Sequence, residues 1–509
     1  MMMTEDRTAA ADVTAWTEDL QALPQAFICF GLGDVVKRFC LPALFKLWMR
    51  RATPSMDDEG FDSTTGSPRR KFLMLFVNRT DKPVEEMRNE LGRACEATMT
   101  GRGEDFSWDH WRSFATRIFH YCGDATKSES FPKLAEFIAE QHRGNSTGGK
   151  NLIYIATPPG CFEPILRNMA ANNLHGTLVI EKPLGRDLAE MQRVNQLLKS
   201  EFAEDQVLRL DHYLGKEGVQ NIVVTRSDPF VRHAWHVSKM RRIEIVASET
   251  MGVNGREYDG AWRDFYTHLL LVAGLIGAEA PPDDSPKLHC ENASAMWEAA
   301  GKFLKTLTVK RAIRGQYLRA TIGRQPCPGF IDELRSKHGS LDSLPNPRLE
   351  TYAGVSLTTS LNPNLEIYLV TGKRLPVKRT QAFIDFGDGR GPLFNIGPRA
   401  ELRMIHSVKR RGSRLSEQPG DFIHTPTGTQ GQSEQCAYEI LFTHAMRGIP
   451  HWFAPGAIME QCAAIATPLL DHWQNSTADI CDYEADTWPA QQIELTGHVP
   501  LQVVTESAE

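Results

Sequence analysis

A chain of 509 residues is long enough for two or three domains with substantial cores. A hydrophobic fraction of 41% and a charged fraction of 24% are ordinary for a globular enzyme, and a net charge of -6 excludes the broad basic field that nucleic acid would need. The ten cysteines show no CxxC pair and no tandem spacing, which points to reduced thiols rather than a disulfide framework or a zinc site, so no metal is expected.

The opening stretch MMMTEDRTAAADVTAW carries acidic residues and no apolar core, unlike a signal or transit peptide, and residues 1–24 are expected to form a flexible lead-in. The most apolar helical stretch, Leu269–Ile276, is too short to span a bilayer, and the closing ESAE is no retention or peroxisomal address. A cytoplasmic location with no membrane partner is the expectation.

Ala26–Phe30 (AFICF) is a short apolar run that ends at glycines and leads into a helical pattern carried by Val36, Phe39, Cys40 and Leu44. Lys71–Val77, Asn151–Pro159 and Thr177–Pro183 are further apolar runs, each bounded by turn signals, with helical patterns such as SFPKLAEFIAEQ between them. Continuous apolar strands alternating with helices predict a parallel sheet covered on both faces. Beyond Asp211 the strands become longer and more alternating: RRIEIVASE, KFLKTLTVK, AGVSLTTSL, LEIYLVTGK, TQAFIDFG and AELRMIHSV. That pattern predicts a mostly antiparallel sheet packed against helices, and the last helical stretches are CAYEILFTHAMRG and PGAIMEQCAAIATPLLDHW. The fold class read from the chain is therefore α/β followed by α+β, divided into 25–210 and 211–509. Three polar stretches, Ala52–Arg70, His142–Lys150 and Gly412–Glu434, read as surface loops.

FGLGDVVK follows the first strand and opens the first helix. Gly31 and Gly33 have the spacing that lets a pyrophosphate approach helix N–H groups, although Val36 stands where a third glycine would complete the fingerprint. The second strand runs into VNRTD, where Arg79 has no acid immediately before it. An NAD site usually places a carboxylate there, whereas an arginine accommodates the 2′-phosphate of NADP, so the reading of this Rossmann-type domain is NADP ahead of NAD. A second cluster, RLDHYLGKEG, gathers Arg209, Asp211, His212, Tyr213 and Lys216 within nine residues. Taken alone it is either a solvated helix face or a cage for a small anion.

Several stretches together resemble the glucose-6-phosphate dehydrogenase family. EKPLGRDL (Glu181–Leu188) and RLDHYLGKE (Arg209–Glu217) are close to its two most recognisable signatures, and YIATPP, WRDFYTHLL, RGQY, ETYAGVSL, VTGKRL and AYEILFTHAMRG follow in the family's order over roughly Gln25 to Trp473. The resemblance implies oxidation of glucose 6-phosphate at C1 to the phosphogluconolactone with reduction of NADP, in a cofactor domain followed by a β+α domain through which dimers or tetramers form. It implies that Lys182 touches both substrate and nicotinamide, that His212, Tyr213 and Lys216 hold the sugar phosphate, and that Glu249, Asp264 and Lys373 position sugar hydroxyls with Lys378 a further contact. His268 would be the general base, with Asp264 and Asp211 in the catalytic set. On the cofactor side Gly31, Gly33, Asp34, Arg79 and Tyr154 match family positions. The phosphate loop GLGD is one residue shorter than the family's usual G-A-S-G-D and lacks the serine.

The chemistry suits these residue types. The cofactor carries the redox step, so neither a metal nor a covalent intermediate is needed, and the protein supplies a base, a phosphate anchor and alignment. A histidine is the natural base near neutral pH. On a helix His268 shares a face with Asp264 four residues before it, and an aspartate so placed stabilises the imidazolium that forms. His212 and Lys216 are also four apart, and a helical turn would point both toward one dianion. Two other readings stay open: a catalytically impaired sugar-phosphate binder of the same fold, and a dehydrogenase preferring NAD or another hexose phosphate.

Overall fold

The computed structural model describes residues 26–51, 73–144, 151–228, 231–254, 258–279, 292–339, 348–408, 418–424, 436–476 and 480–497. The lead-in 1–24, the loop expected over Ala52–Arg70 and most of the other two expected loops lie outside the described residues. One unit comprises the described chain up to His212 together with a returning segment that ends at Pro455, and the other comprises the rest. The returning segment follows most of the second unit in sequence, so a division in chain order at 210/211 does not separate it.

In the first unit, β1 (Ala26–Phe30), β2 (Leu73–Asn78), β3 (Ile118–Cys122), β4 (Asn151–Ile155), β5 (Gly176–Glu181) and β6 (Val207–Leu210) form a six-stranded sheet in the order β3-β2-β1-β4-β5-β6. All the pairings are parallel, and β1 is buried at every position. The strand order reverses between β1 and β4, so a crevice opens at the carboxyl ends of these two strands, where dinucleotides bind in such sheets. The expected strands at β1, β2, β4 and β5 are present, whereas β3 and β6 were not expected. β6 is only four residues long, and Arg209 interrupts its apolar run; that guanidinium is buried because Asn195 and Glu204 accept its hydrogen bonds at 3.0 and 2.7 Å. The returning helix Ala437–Met446 is tied in by a buried cation: Lys46 Nζ lies 2.7 Å from Glu439 and 2.9 Å from Glu104. Its Phe442 packs edge-on against Phe27 of β1 and Tyr154 of β4.

The second unit is built on β7 (Arg242–Ser248), β8 (Leu307–Leu318), a small hairpin of β9 (Ala320–Ile322) and β10 (Gln325–Cys327), and then β11 (Tyr352–Thr359), β12 (Asn362–Gly372), β13 (Arg379–Asp385), β14 (Gly391–Gly397), β15 (Glu401–Val408), β16 (Gln418–His424) and β17 (Ile480–Glu484). The hairpin apart, the described strands form one sheet in the order β16-β15-β14-β13-β7-β12-β11-β8-β17, antiparallel except where β7 meets β12 and β8 meets β17. The expected mostly antiparallel sheet is therefore present.

Two local expectations are corrected. KFLKTLTVK was expected as one strand, but its first three residues end the helix Ala293–Leu304, where Met296, Trp297, Ala300, Phe303 and Leu304 are buried at helical spacing. The expected loop Gly412–Glu434 contains β16, an edge strand held by its ladder to β15 rather than by an apolar pattern of its own. β14 and β17 were not anticipated either. The helix Ala261–Gly277 carries an almost continuous buried run from Tyr266 to Gly277, and none of the described helices is long and apolar enough to cross a membrane.

Candidate active site

The first unit offers a cleft of about 460 Å³ at the carboxyl ends of β1, β2 and β4. Its floor depends on Gly31, which has φ +100° and whose place a Cβ could not share, because that atom would lie 2.7 Å from the Ala156 carbonyl oxygen. Gly33 has nothing within 4 Å of such a position, which leaves room for a ligand to reach the backbone. Both glycines and Arg79 line the cleft. Two buried polar atoms in the lining, His120 Nε2 and Thr157 Oγ1, have no partner among the described residues, so the lining retains hydrogen-bonding capacity for a polar ligand. Asn78 ends β2 where an NAD site would place a carboxylate, and its Oδ1 accepts from Thr80 N at 2.8 Å. Lys37 and Lys82 also line the cleft, clasping Glu90 at 2.7 and 2.6 Å, and their hydrogen bonds hold the Glu90 carboxyl down at about 2. These residues fit a nicotinamide dinucleotide. Glycine spacing alone gave no sign of the Lys37–Glu90–Lys82 group, whose members come from three separate stretches.

Two expected cofactor residues are placed differently. Asp34 lies outside the cleft lining and pairs with Arg38 at 2.9 Å in solvent. Tyr154 is fully buried, and its hydroxyl donates to Glu181 Oε1 at 2.6 Å. The β4 pleat turns this ring toward Phe27 and Phe442 and away from the cleft lining, a direction that a motif match cannot supply.

Lys182 follows directly on β5, is half-buried, and has a cis peptide to Pro183. Its neighbour Glu181 was not singled out by sequence, yet it is buried and accepts from two tyrosines, Tyr154 at 2.6 Å and Tyr438 at 2.9 Å. Burial is the largest influence and pushes the Glu181 carboxyl up to about 7 against the pull of the two hydroxyls and of Lys182. Asp211, just past β6, is fully buried, and His212 stacks on Tyr438 with centroids 6.3 Å apart. Asp211 to Lys216 is one continuous stretch that begins in this unit and continues in the other.

In the second unit that stretch does not form the expected α turn. His212–Gly215 is 3-10 helix and Lys216 is the extended N-cap of the helix Glu217–Ser227, so the four-apart alignment expected for His212 and Lys216 does not apply. Lys216 instead sits at the positive end of that helix, with Nζ 3.9 Å from the centroid of the Tyr213 ring. Gly218 lets the helix lie directly on β14, since a Cβ there would meet Asn395 O at 2.5 Å. Tyr213 Oη reaches Thr380 Oγ1 at 3.4 Å, and its ring stacks on His268 with centroids 4.0 Å apart and planes inclined by 14°. His268 is only 2% exposed, and Phe265 meets its ring edge-on at 5.7 Å. Asp264 is half-buried in the first turn of the same helix, whose start is fixed by Glu350: Ala261 N donates to its main-chain oxygen at 2.9 Å and Trp262 N to its Oε1 at 3.0 Å.

Glu249 and Lys373 form an ion pair. The parallel register sets Ser248 opposite Gly372, so the next residue along each strand projects from the same edge of the sheet. Lys378 is exposed on the turn between β12 and β13. The expected base His268, the expected sugar-hydroxyl residues Glu249, Asp264 and Lys373, and two of the expected phosphate residues, Tyr213 and Lys216, thus share this unit, whereas His212 closes the first.

The chain is 26% identical over 496 residues to a glucose-6-phosphate 1-dehydrogenase of Treponema pallidum, spanning 91% of this chain and 92% of that one. It is 27% identical over 501 residues to that of Mycolicibacterium smegmatis, spanning 91% and 94%. The fold matches the crystal structure of the Mycobacterium avium glucose-6-phosphate 1-dehydrogenase with a TM-score of 0.72 at 23% identity, covering 94% of this chain and 98% of that one. A glucose-6-phosphate dehydrogenase in complex with its substrate matches with a TM-score of 0.75 at 22% identity and the same coverage. Residues 28–221 match the family described as glucose-6-phosphate dehydrogenase, NAD binding domain, and residues 222–498 match its C-terminal domain; the chain belongs to the glucose-6-phosphate dehydrogenase family.

Proposed function

We propose that this chain oxidises glucose 6-phosphate at C1 to 6-phosphoglucono-1,5-lactone with NADP as the acceptor. The observation that carries the reading is the Tyr213 ring, which meets the His268 imidazole at 4.0 Å and the Lys216 ammonium at 3.9 Å. One aromatic side chain thereby fixes a base and a cationic anchor in a single unit, as an oxidation at one end of a phosphorylated sugar requires.

In this reading Lys216, Tyr213 and His212 hold the phosphate, and Glu249, Asp264, Lys373 and Lys378 orient the hydroxyls. His268 takes the O1 proton as the C1–H bond gives up its electron pair with the hydrogen, leaving a C1=O double bond in the lactone. Asp264 and Asp211 stabilise the imidazolium by charge. The bound nicotinamide supplies the hydride acceptor. Gly31 and Gly33 admit the pyrophosphate, Arg79 and the neighbouring lysines meet the 2′-phosphate, and Lys182 contacts both ligands.

The absence of an acid at Asn78 and the three cations at the cleft favour NADP over NAD. We further expect a cytoplasmic enzyme that self-associates as a dimer or tetramer. The test is reduction of NADP and of NAD by purified protein with glucose 6-phosphate. Turnover that is faster with NADP supports the reading, and glucose 6-phosphate binding without turnover on either nucleotide overturns it in favour of an impaired binder.

A further inference from the structure

Around the Glu249–Lys373 pair stands a residue that neither the motifs nor the proposed mechanism employs. Tyr258 is held by apolar packing: its ring lies against a buried cluster that includes Val253, Tyr317, Phe330 and Leu375, meeting Phe330 edge-on at 6.4 Å. Its other end is polar and enclosed. The hydroxyl oxygen is buried and has no hydrogen-bond partner among the described residues. A buried phenol left in this state destabilises the folded protein, so the group calls for an explanation.

The surroundings supply one. Lys373 Nζ lies 5.7 Å from the centroid of the Tyr258 ring and 5.6 Å from that of Phe265, while pairing with Glu249. Burial first, and then the charges of Asp264, Glu350 and Glu249, keep the Tyr258 hydroxyl protonated well above the usual phenol range, so it remains a donor at working pH. Carboxylates only accept hydrogen bonds and an ammonium only donates them. A sugar hydroxyl that donates a hydrogen bond to Glu249 or Asp264 keeps lone pairs that accept from donors, and Lys373 and Tyr258 supply two.

We propose that Tyr258 is a further sugar-binding residue, donating a hydrogen bond to one of the ring hydroxyls that Glu249 and Asp264 hold. The proposal rests on the assignment of this unit as the glucose 6-phosphate site. It explains why an unsatisfied phenol persists: substrate completes its bonding, and a hexose lacking the hydroxyl does not.

The experiment is Tyr258→Phe in the full chain, measured with glucose 6-phosphate and with its 2-, 3- and 4-deoxy analogues. The expected melting temperature is equal to or slightly above that of the wild type, because the variant loses only an unsatisfied hydroxyl. KM for glucose 6-phosphate should rise on the order of 2- to 10-fold with KM for NADP unchanged, and for one deoxy analogue the two proteins should become indistinguishable. An unaltered KM for glucose 6-phosphate, or an equal loss with every analogue together with a lowered melting temperature, overturns the role of Tyr258 alone. Wild-type protein that fails to oxidise glucose 6-phosphate overturns the site assignment and this proposal with it.

Discussion

The imidazole of His268 lies parallel to the ring of Tyr213, 4.0 Å from centroid to centroid and tilted by 14°. The stack fixes the plane of the imidazole, so the direction in which its nitrogens point is set by packing before substrate arrives. In the proposed role as base, a residue so held contributes through proton transfer rather than through affinity. His268→Asn is therefore expected to lower kcat by about 10²–10⁴ while leaving KM for glucose 6-phosphate within a few-fold. Steady-state kinetics at saturating NADP measures both, and a variant as active as the wild type removes His268 as the base.

Lys216 meets the same tyrosine ring, and in the proposed reading it acts on the far end of the substrate. Its ammonium begins the helix Glu217–Ser227, where the positive end of the helix adds to its own charge. A charge-assisted bond to a shielded phosphate contributes roughly 1.5–3 kcal/mol, so Lys216→Ala should raise KM for glucose 6-phosphate by about 10- to 150-fold. Free glucose lacks the phosphate, and its weak oxidation should change little. Equal losses on both sugars would locate the anchor elsewhere.

Much of this arrangement is legible in the sequence, and the remainder is hidden for identifiable reasons. β1, β4 and β5 read as strands because each carries an unbroken stretch of buried apolar residues. β6 does not, because a buried arginine breaks its run, and β16 does not, because a neighbouring ladder holds it. Asp264 and His268, like Glu249 and Lys373, are singled out by the family motifs in which they stand, since a four-residue spacing alone reads as readily as a surface pair. Spacing cannot reveal Tyr258 or Tyr438, since each is one aromatic whose role depends on where its hydroxyl ends. Tyr154 shows the converse, where a matched position is turned into the core. The 3-10 geometry of His212–Gly215 likewise defeats an argument built on α-helical spacing.

Glu181, the residue before Lys182, gives the fold a pH response. Burial raises its carboxyl from the ordinary range to about 7, so the folded protein holds a proton that the unfolded chain has already released. Stability from this group is greatest below the ordinary carboxyl pKa, falls as pH climbs toward about 7, and is level above that. Glu350 is raised to about 7 by burial as well and adds the same slope, whereas His444, held down at about 4, opposes it. The difference between Glu181→Gln and the wild type isolates the single group. The variant should match the wild type near pH 5 and exceed it near pH 8, with the gap growing by at most about 1.4 kcal/mol per pH unit across that window. Urea unfolding at both pH values measures the gap, and a constant difference would mean that Glu181 is ionised throughout.

In the proposed reading nucleotide preference turns on charge at the end of β2, where Arg79 follows Asn78, and Lys37 and Lys82 share the Glu90 carboxylate. That carboxyl is held down at about 2, so it stays ionised and keeps both lysines partly neutralised at any working pH. The adenosine 2′-phosphate offers the lysines a more highly charged partner, whereas the bare 2′-hydroxyl of NAD offers none. Arg79→Gln should therefore raise KM for NADP by about 10- to 150-fold with little change for NAD. Glu90→Gln should act in the opposite direction, lowering KM for NADP by releasing two ammonium groups toward the phosphate and again leaving NAD nearly unchanged. Both variants are read from the ratio of kcat/KM for the two nucleotides, and a ratio that moves in neither would place the 2′-phosphate away from this corner of the cleft.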